Sequence, residues 1–198
     1  QGRVLSVTYL SSLGWTPDGH LLIVSMSGQK VLRLHRGKLL PYADLAPFAQ
    51  HDCNDMIVDE KGIAYVGCLG FDFWGGESPR PTRLLMVEPS GRVTIAAPDL
   101  VCPNGMALLD GGRTLVVAES FAERITAFDR AADGALSNRR LFARIAGGVP
   151  DGVGKAAGNE IWVADPRRSL ALRLSGTGKE LQRIAIESGR VPLDCEVG

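Results

Sequence analysis

Four short apolar runs recur along the chain, and each follows a glycine that closes a polar stretch. The runs are residues 21–24, 63–66, 115–118 and 161–164, and the glycines are Gly19, Gly62, Gly112 and Gly158. From glycine to glycine the spacing is 43, 50 and 46 residues. Short apolar runs bounded by turn residues are typical of buried strands. A strand-built repeat of this period predicts a β-propeller.

The first repeat contains the elements of one propeller blade. Its Pro17-Asp18-Gly19 segment favours a tight turn, because proline presets φ at the first corner and glycine accepts a positive φ. The pattern predicts a buried strand over residues 20–26, a half-buried alternating strand over 30–35 and an outer strand over 39–43. With residues 11–16, these segments make the four strands of a blade.

Later repeats follow the same plan with two differences. Residues 67–81 form an insertion rich in glycine and proline that holds two Phe and one Trp. These aromatic side chains either cap a pocket or fold back as a small satellite core. In the third repeat we expect a strand over residues 124–128, a turn region over 129–140 and an outer strand over 141–143. No stretch of ten or more residues has sustained helical periodicity.

The repeats predict one domain. Residues 11–186 hold four blades, and residues 191–198 resemble the opening of a fifth. A propeller has to close to remove its exposed strand edges. We therefore expect a single β-propeller domain over residues 1–198 that is incomplete at its C-terminus.

Four polar residues occupy the same phase of the repeat. Ser11, Asn54, Asn104 and Asp151 each stand seven or eight positions before the hairpin glycine. Equivalent positions of successive blades converge on one axis, so these residues would face one another as oxygen donors. Carboxylate and amide oxygens suit Ca²⁺, Mg²⁺ or Mn²⁺. Asn and Asp before glycine are also ordinary turn formers, so the shared phase, more than any single position, predicts a site.

Composition and motifs narrow the class of function. Lys plus Arg and Asp plus Glu number 22 each, which argues against a nucleic-acid partner. No apolar run approaches the length of a membrane span, and no charged-then-apolar leader opens the chain, so we expect a cytoplasmic protein and no membrane partner. We expect its partner to be a small-molecule substrate. Neither a G-x-S-x-G elbow nor a P-loop is present. An enzyme on this scaffold would therefore use metal-assisted hydrolysis, with Asp151 as the carboxylate that deprotonates water.

Several local motifs resemble one known family. They are Asn54-Asp55 followed by residues 58–62, Pro103-Asn104-Gly105, Ser137-Asn138-Arg139-Arg140 after a turn, and Pro150-Asp151-Gly152. Together they resemble the family of senescence marker protein (regucalcin), gluconolactonase and related sugar-lactone lactonases. The resemblance implies a six-bladed β-propeller with one divalent metal ion in its central channel, of which this chain would cover about four blades and the start of a fifth.

The resemblance also implies roles for three residues. Asn104 and Asp151 match metal ligands of the family, and Asp151 also matches its general base. Asn54 matches an asparagine that contacts metal or substrate. By this likeness the cofactor is one divalent ion, with Ca²⁺ favoured and Zn²⁺, Mg²⁺ and Mn²⁺ as alternatives.

The chain departs from the family pattern at two positions. Trp15 fits the first-blade motif, but Ser11 stands where the family has a glutamate ligand. Asp52 stands where sugar-lactonase members have an arginine, at a substrate-binding position. Asp72 matches an acidic residue that touches substrate, and the aromatic segment 71–74 suggests a less polar substrate.

These observations predict a metal-dependent hydrolase of a lactone or similar cyclic ester, in which a metal-polarised carbonyl is attacked by water activated by a carboxylate. Two alternatives remain open. The chain could be a propeller that binds a small molecule or a protein without catalysis, after loss of the first-blade glutamate. It could also hydrolyse another electrophile, such as an epoxide.

Overall fold

A computed structural model describes residues 9–187 and 189–195. Within these residues sixteen strands form four sheets, each of four antiparallel strands in chain order. The chain divides into two compact units, Gln1–Leu100 and Val101–Gly198, and each unit holds two of the sheets. A four-stranded antiparallel sheet in sequential order is the composition of a propeller blade, so the predicted number of four blades matches the sheets observed.

The first unit contains eight strands. They are β1 Leu10–Trp15, β2 Leu21–Ser25, β3 Lys30–His35, β4 Lys38–Asp44, β5 Cys53–Val58, β6 Ala64–Cys68, β7 Thr82–Val87 and β8 Val93–Leu100. The three later strands predicted for the first repeat agree with β2, β3 and β4 to within one residue at each end. Local alternation and turn residues were sufficient to predict these bounds, because a short hairpin joins each strand to the next.

The second unit contains the other eight strands. They are β9 Pro103–Leu109, β10 Thr114–Glu119, β11 Arg124–Arg130, β12 Leu136–Arg144, β13 Val153–Lys155, β14 Ile161–Asp165, β15 Leu170–Leu174 and β16 Glu180–Ala185. The expected turn region over residues 129–140 is too long: only residues 131–135 lie between β11 and β12, which pair from Arg130 with Leu136 to Arg124 with Arg144. Polar side chains on the exposed strand β12 concealed the pairing.

Each unit packs its two sheets around its own core. Gly14 of β1 illustrates the closeness of the first pair, because a Cβ there would lie 2.5 Å from Cγ2 of Val58 on β5. In the second unit the core includes Val116 and Ile125 of one sheet and Val163 and Leu172 of the other. Burial of these apolar faces supplies the main stabilisation of each pair.

The insertion between β6 and β7 places its three aromatic residues in different environments. Residues 69–81 contain no strand. Phe71 is fully buried, whereas Trp74 is 72% exposed and packs edge to face on Phe73 at 5.0 Å between ring centroids. Phe71 therefore belongs to the core, and the two following aromatic residues remain on the surface.

Helical structure is minimal, as the sequence predicts. In the described ranges it consists of two 3₁₀ turns of three residues, Asp110–Gly112 and Ser120–Ala122. No helix in these ranges is long and apolar enough to cross a membrane. The segment predicted to open a fifth blade has no strand over residues 191–195, and residues 196–198 lie outside the described residues.

Candidate functional site

Three of the four in-phase polar residues occupy the same place in their sheets. Ser11, Asn54 and Asn104 are each the second residue of the first strand, in β1, β5 and β9. Asp151 stands two residues before the corresponding strand β13. The equivalence predicted from the repeat therefore holds in strand position for three of the four residues, and Asp151 lies just before its strand.

The second unit brings Asn104 and Asp151 into direct contact. Nδ2 of Asn104 donates to Oδ1 of Asp151 at 2.5 Å, across 47 residues of sequence. Asn104 is buried and Asp151 is half-buried. An amide and a carboxylate therefore share one partly enclosed position, as the common phase of the repeat predicted for this pair.

A buried hydroxyl holds Asn104 from the other side. Nδ2 of Asn104 also donates to Oγ of Ser120 at 3.0 Å, and Oγ of Ser120 donates to the carbonyl of Pro150 at 2.8 Å. Ser120 is 2% exposed and begins the 3₁₀ turn that follows β10. Both amide hydrogens of Asn104 are thus used, which leaves its Oδ1 as the amide atom able to accept a ligand.

Close backbone contact makes this pair possible. The N–H of Gly105 donates to the carbonyl of Asp151 at 3.1 Å. A Cβ on Gly105 would lie 2.3 Å from the nitrogen of Val153 and 2.5 Å from the carbonyl oxygen of Asp151. Only glycine therefore allows β9 to approach the 151–153 segment this closely. The N–H of Asp151 in turn donates to the carbonyl of Ala164 on β14 at 2.9 Å.

The environment of Asp151 disfavours its negative charge. Burial raises the pKa of Asp151 to about 6, against the partial opposing effect of the hydrogen bond from Asn104 and with a further contribution from the charge of Asp194. Among residues 9–187 and 189–195, no lysine, arginine or histidine forms an ion pair with it. Asp151 is therefore a carboxylate whose ionised form lacks a compensating positive charge.

Next to this pair lies an ion-pair network centred on the fully buried carboxylate of Glu119, the last residue of β10. Its carboxylate accepts hydrogen bonds from Arg124, Arg139, Thr126 and the N–H of Val101. Burial alone would raise the pKa of Glu119, but the bonds from Arg124, Thr126 and Val101 outweigh it and leave that pKa below its ordinary value. This network fixes the backbone immediately before Ser120.

In the first unit the surroundings of Asn54 are different. Oγ of Ser11 donates to the backbone carbonyl of Asn54 at 2.9 Å, and the N–H of Met56 donates to Oγ of Ser12 at 3.0 Å. Both serine hydroxyls of β1 therefore bind the backbone of β5. The side chain of Asn54 is half-buried.

The two acidic residues predicted to bind substrate also lie in the first unit. Oδ1 of Asp72 accepts from the N–H of Gly75 at 2.7 Å, and its own N–H donates to Glu77 at 2.9 Å, so Asp72 organises the turn of its own loop. Asp52 lies 3.6 Å from Nδ1 of His51, and its carbonyl accepts from the N–H of Leu69. The predicted meeting of Asn54, Asn104 and Asp151 at one cation stays a prediction.

Sequence reasoning missed three residues of this region: Ser120, which binds Asn104, its neighbour Glu119, and Asp194, whose charge acts on Asp151. A charged and a polar residue directly after the apolar run 115–118 could have indicated Glu119 and Ser120. Asp194 is brought close by a backbone bond, in which the N–H of Gly152 donates to the carbonyl of Leu193 at 2.9 Å. That contact between residues 41 positions apart has no local signal in the sequence.

The donor chemistry at Asp151 fits a hard divalent cation. Oδ1 of Asn104 and the carboxylate of Asp151 are oxygen donors of the kind that Ca²⁺, Mg²⁺ and Mn²⁺ prefer. A cation would also neutralise the buried charge described above. Within the described part of the chain, no group of three or more His, Cys, Asp or Glu side chains is placed to hold a metal ion.

Comparison with known proteins gives consistent results. Residues 3–196 match the family model described as the SMP-30/gluconolactonase/LRE-like region. A 6-deoxy-6-sulfogluconolactonase of Pseudomonas putida is 26% identical over 181 residues, which is 89% of this chain and 61% of the relative. This chain thus spans about three fifths of the length of that curated relative.

Two solved structures have the same fold. A luciferin-regenerating enzyme aligns with a TM-score of 0.78 and 17% identity, over 91% of this chain and 64% of its own. A calcium-binding protein, regucalcin, from Agrobacterium tumefaciens aligns with a TM-score of 0.75 and 21% identity, over 89% of this chain and 60% of its own. The predicted fold class, all-β and of the β-propeller family, is confirmed.

Proposed function

Because the chain belongs to the SMP-30/gluconolactonase/LRE-like family, we propose that it is part of a hydrolase that opens a lactone or a similar cyclic ester. The observation that carries this proposal is the contact between Asn104 and Asp151, which places an amide and a carboxylate of raised pKa together. Raised carboxylate pKa values in partly enclosed positions are typical of catalytic groups. The name of the Pseudomonas relative, 6-deoxy-6-sulfogluconolactonase, supports the same reaction class.

In this proposal Asn104 and Asp151 hold one divalent cation, with Ca²⁺ favoured by the hard oxygen donors and by the calcium-binding regucalcin relative. When bound, such a cation supplies Lewis-acid polarisation of the substrate carbonyl. Zn²⁺, Mg²⁺ and Mn²⁺ are alternatives. Asn54 keeps its predicted role as a further ligand or a substrate contact.

Asp151 also acts as the general base. Its carboxylate accepts a proton from water as the water oxygen forms a bond to the lactone carbonyl carbon. The ring C–O bond then breaks, and the proton passes to the departing ring oxygen, so that lactone and water yield one hydroxy acid. Asn104 fixes the carboxylate through the Nδ2 to Oδ1 bond while this happens.

The substrate class follows from the residues of the first unit. Asp52 and Asp72 are proposed substrate contacts, and the exposed Phe73 and Trp74 add apolar surface to the same loop as Asp72. An acidic residue at position 52 favours neutral over anionic lactones, because like charges repel. We therefore propose a lactone less polar than a sugar acid lactone.

Purified protein tests the proposal. Divalent metal is measured by inductively coupled plasma mass spectrometry, and a panel of aliphatic, aromatic and sugar lactones is assayed with added Ca²⁺, Mn²⁺ or Zn²⁺. We expect about one equivalent of bound metal and lactone hydrolysis that Asp151→Asn lowers by about 10²- to 10⁴-fold. Asp133→Asn is the matched control, because Asp133 caps an exposed turn and its loss of charge should leave the rate unchanged. Hydrolysis by Asp151→Asn at the wild-type rate would refute the assignment.

A second candidate is a propeller that binds a small molecule without catalysis. It is favoured by Ser11, whose hydroxyl is bound to the backbone of β5 and supplies no anionic ligand. The same panel distinguishes the two candidates, since a binding protein shifts its melting temperature with a ligand but turns over no lactone. Adding an epoxide to the panel tests the remaining alternative for the electrophile.

A further inference from the structure

Ser120 was not among the residues that the sequence indicated, yet its hydroxyl accepts a hydrogen bond from Asn104, which was. We infer that Ser120 is a positioning residue that sets the amide of Asn104 with its oxygen free for a ligand. The inference rests on the proposed function in so far as that ligand is a divalent cation. The orientation itself can be tested in the metal-free protein.

The direction of the hydrogen bonds follows from what each group can donate. The carbonyl of Pro150 can only accept, so the single hydroxyl hydrogen of Ser120 is committed to it at 2.8 Å. Ser120 must then accept from its other neighbour, which is Asn104 at 3.0 Å. Only the NH₂ group of an asparagine amide can donate, so Nδ2 faces Ser120 and Oδ1 points elsewhere.

Burial enforces these donor and acceptor roles. Ser120 is 2% exposed and Asn104 is 9% exposed, so water does not readily replace either partner. The reverse orientation of the amide would place Oδ1 of Asn104 against Oδ1 of Asp151, and two acceptors in contact repel. An unmet buried donor or acceptor is unfavourable, because it has lost its hydrogen bond to water and gained none in the protein. One orientation of Asn104 is therefore strongly preferred.

The backbone holds Ser120 in place from both ends. Its N–H donates to the carbonyl of Cys102 at 3.2 Å, close to the start of β9. The preceding residue, Glu119, is fully buried in its network with Arg124 and Arg139. The hydroxyl of Ser120 thus reaches Asn104 and Pro150 from a rigid position, as expected of a group that orients a ligand.

The first test reads the amide directly. In the metal-free protein, ¹H–¹⁵N spectra resolve the two NH₂ protons of Asn104, assigned through the Asn104→Asp variant. We expect both protons of the wild type to exchange slowly with solvent, because both are hydrogen-bonded and buried. Ser120→Ala should speed the exchange of one proton by about tenfold or more, whereas Ser120→Thr, which keeps the hydroxyl, should not. Ser137→Ala on the exposed strand β12 is the matched control.

The second test measures binding of Ca²⁺ or Mn²⁺ alone by isothermal titration calorimetry. Loss of a group that orients a metal ligand typically weakens binding by about 10- to 100-fold, and we expect this for Ser120→Ala. Ser120→Thr and Ser137→Ala should bind as the wild type does. Circular dichroism checks that each variant is folded. If Ser120→Ala does not fold, Ser120→Cys, whose thiol is a poor acceptor, replaces it and should show the same weakening.

The outcomes separate this inference from the proposed function. Unchanged exchange and unchanged affinity in Ser120→Ala would overturn the role of Ser120 while leaving the metal site intact. A wild type that binds neither cation but still shows the slowly exchanging amide would refute the metal-dependent function and retain the orientation. Equal losses in Ser120→Ala and Ser120→Thr would show that packing, not the hydroxyl, is responsible, and would also overturn the inference.

Discussion

Asn104 and Asn54 occupy the same position in their sheets, yet their surroundings differ. Asn104 donates to Ser120 and Asp151, and its neighbours include a carboxylate with a raised pKa. Around Asn54, the bonds from β1 go to the backbone, with Oγ of Ser11 on its carbonyl. A shared position in the repeat therefore does not imply shared chemistry, because the residues that reach that position differ.

The origin of this difference lies in the strands that follow. In the second unit, β10 ends in Glu119 and is followed by Ser120, so a buried carboxylate and a hydroxyl lie beside β9. In the first unit, β6 ends in Cys68, which is fully buried opposite Cys53. Polar side chains therefore lie beside β9 in the second unit, whereas a thiol lies beside β5 in the first unit.

The largest expected effect concerns the buried carboxylates of the two units. Glu119→Gln removes the charge that Arg124 and Arg139 share, and breaking a buried pair costs about 3–5 kcal/mol. We expect the lower end of that range, because both arginines are about one third exposed and can be rehydrated. Asp59→Asn in the first unit should cost less than about 1 kcal/mol, since the amide oxygen can still accept from the N–H of Ile63. Urea unfolding measures both, and equal costs would contradict the comparison.

The lowered pKa of Glu119 predicts how the stability of the protein responds to acid. The pKa of Glu119 is lowered in the folded protein, so its stabilising contribution is complete above the unfolded pKa of about 4.3 and is lost as the pH falls through the lower folded value. The difference in the free energy of unfolding between wild type and Glu119→Gln should therefore shrink as the pH is lowered from 6 toward about 3. A difference that grows in acid would contradict the sign of this shift.

The two asparagines provide the next test. Asn104→Ala should lower kcat/KM by about 100-fold or more, as removal of a charge-stabilising group at a reaction centre does. Asn54→Ala should change it by less than about tenfold and chiefly through KM, because a substrate contact contributes similar binding to ground and transition states. Steady-state kinetics on the best lactone of the panel measure both. A larger loss of kcat/KM in Asn54→Ala than in Asn104→Ala would contradict the assignment of the main catalytic contact to the second unit.

The smallest expected effect compares two glycines at sheet contacts. A Cβ at Gly105 would meet backbone atoms at 2.3 and 2.5 Å, whereas one at Gly14 would meet the side-chain ends of Val58 and Met56 at 2.5 and 3.1 Å. Overpacking costs about 1–3 kcal/mol, and backbone yields less readily than side chains, so Gly105→Ala should lie at the upper end and Gly14→Ala at the lower. Melting temperatures and urea midpoints measure the difference, and a greater loss in Gly14→Ala would contradict it.

Most of the fold could be predicted from local patterns. The hairpin at Gly19 and the alternation over residues 30–35 gave β2 and β3 with nearly correct bounds, because turn chemistry and strand period are local properties. The error fell on residues 136–140 of β12, where most side chains face solvent. An exposed outer strand carries no apolar alternation, so its pairing with β11 depends on backbone bonds that leave no signature in residue type.

The site could be predicted only in part. The phase of the repeat indicated Asn104 and Asp151, and these two side chains do meet. It indicated neither Ser120 nor Asp194, because each reaches the site through a contact that depends on how strands and loops pack. Asp72 was assigned a substrate contact, which stays a prediction; the structure adds that its carboxylate binds the N–H of Gly75 in its own loop.

The sequence by itself determined the repeat, the strands and the polar positions that open each sheet, since these follow from turn residues and from the period of apolar side chains. Only the tertiary structure decided which of those polar positions has a buried hydrogen-bond partner and a shifted pKa. The pKa of Asp151 and the orientation of Asn104 depend on burial and on partners between 16 and 47 residues away, and such quantities exist only after the chain has packed.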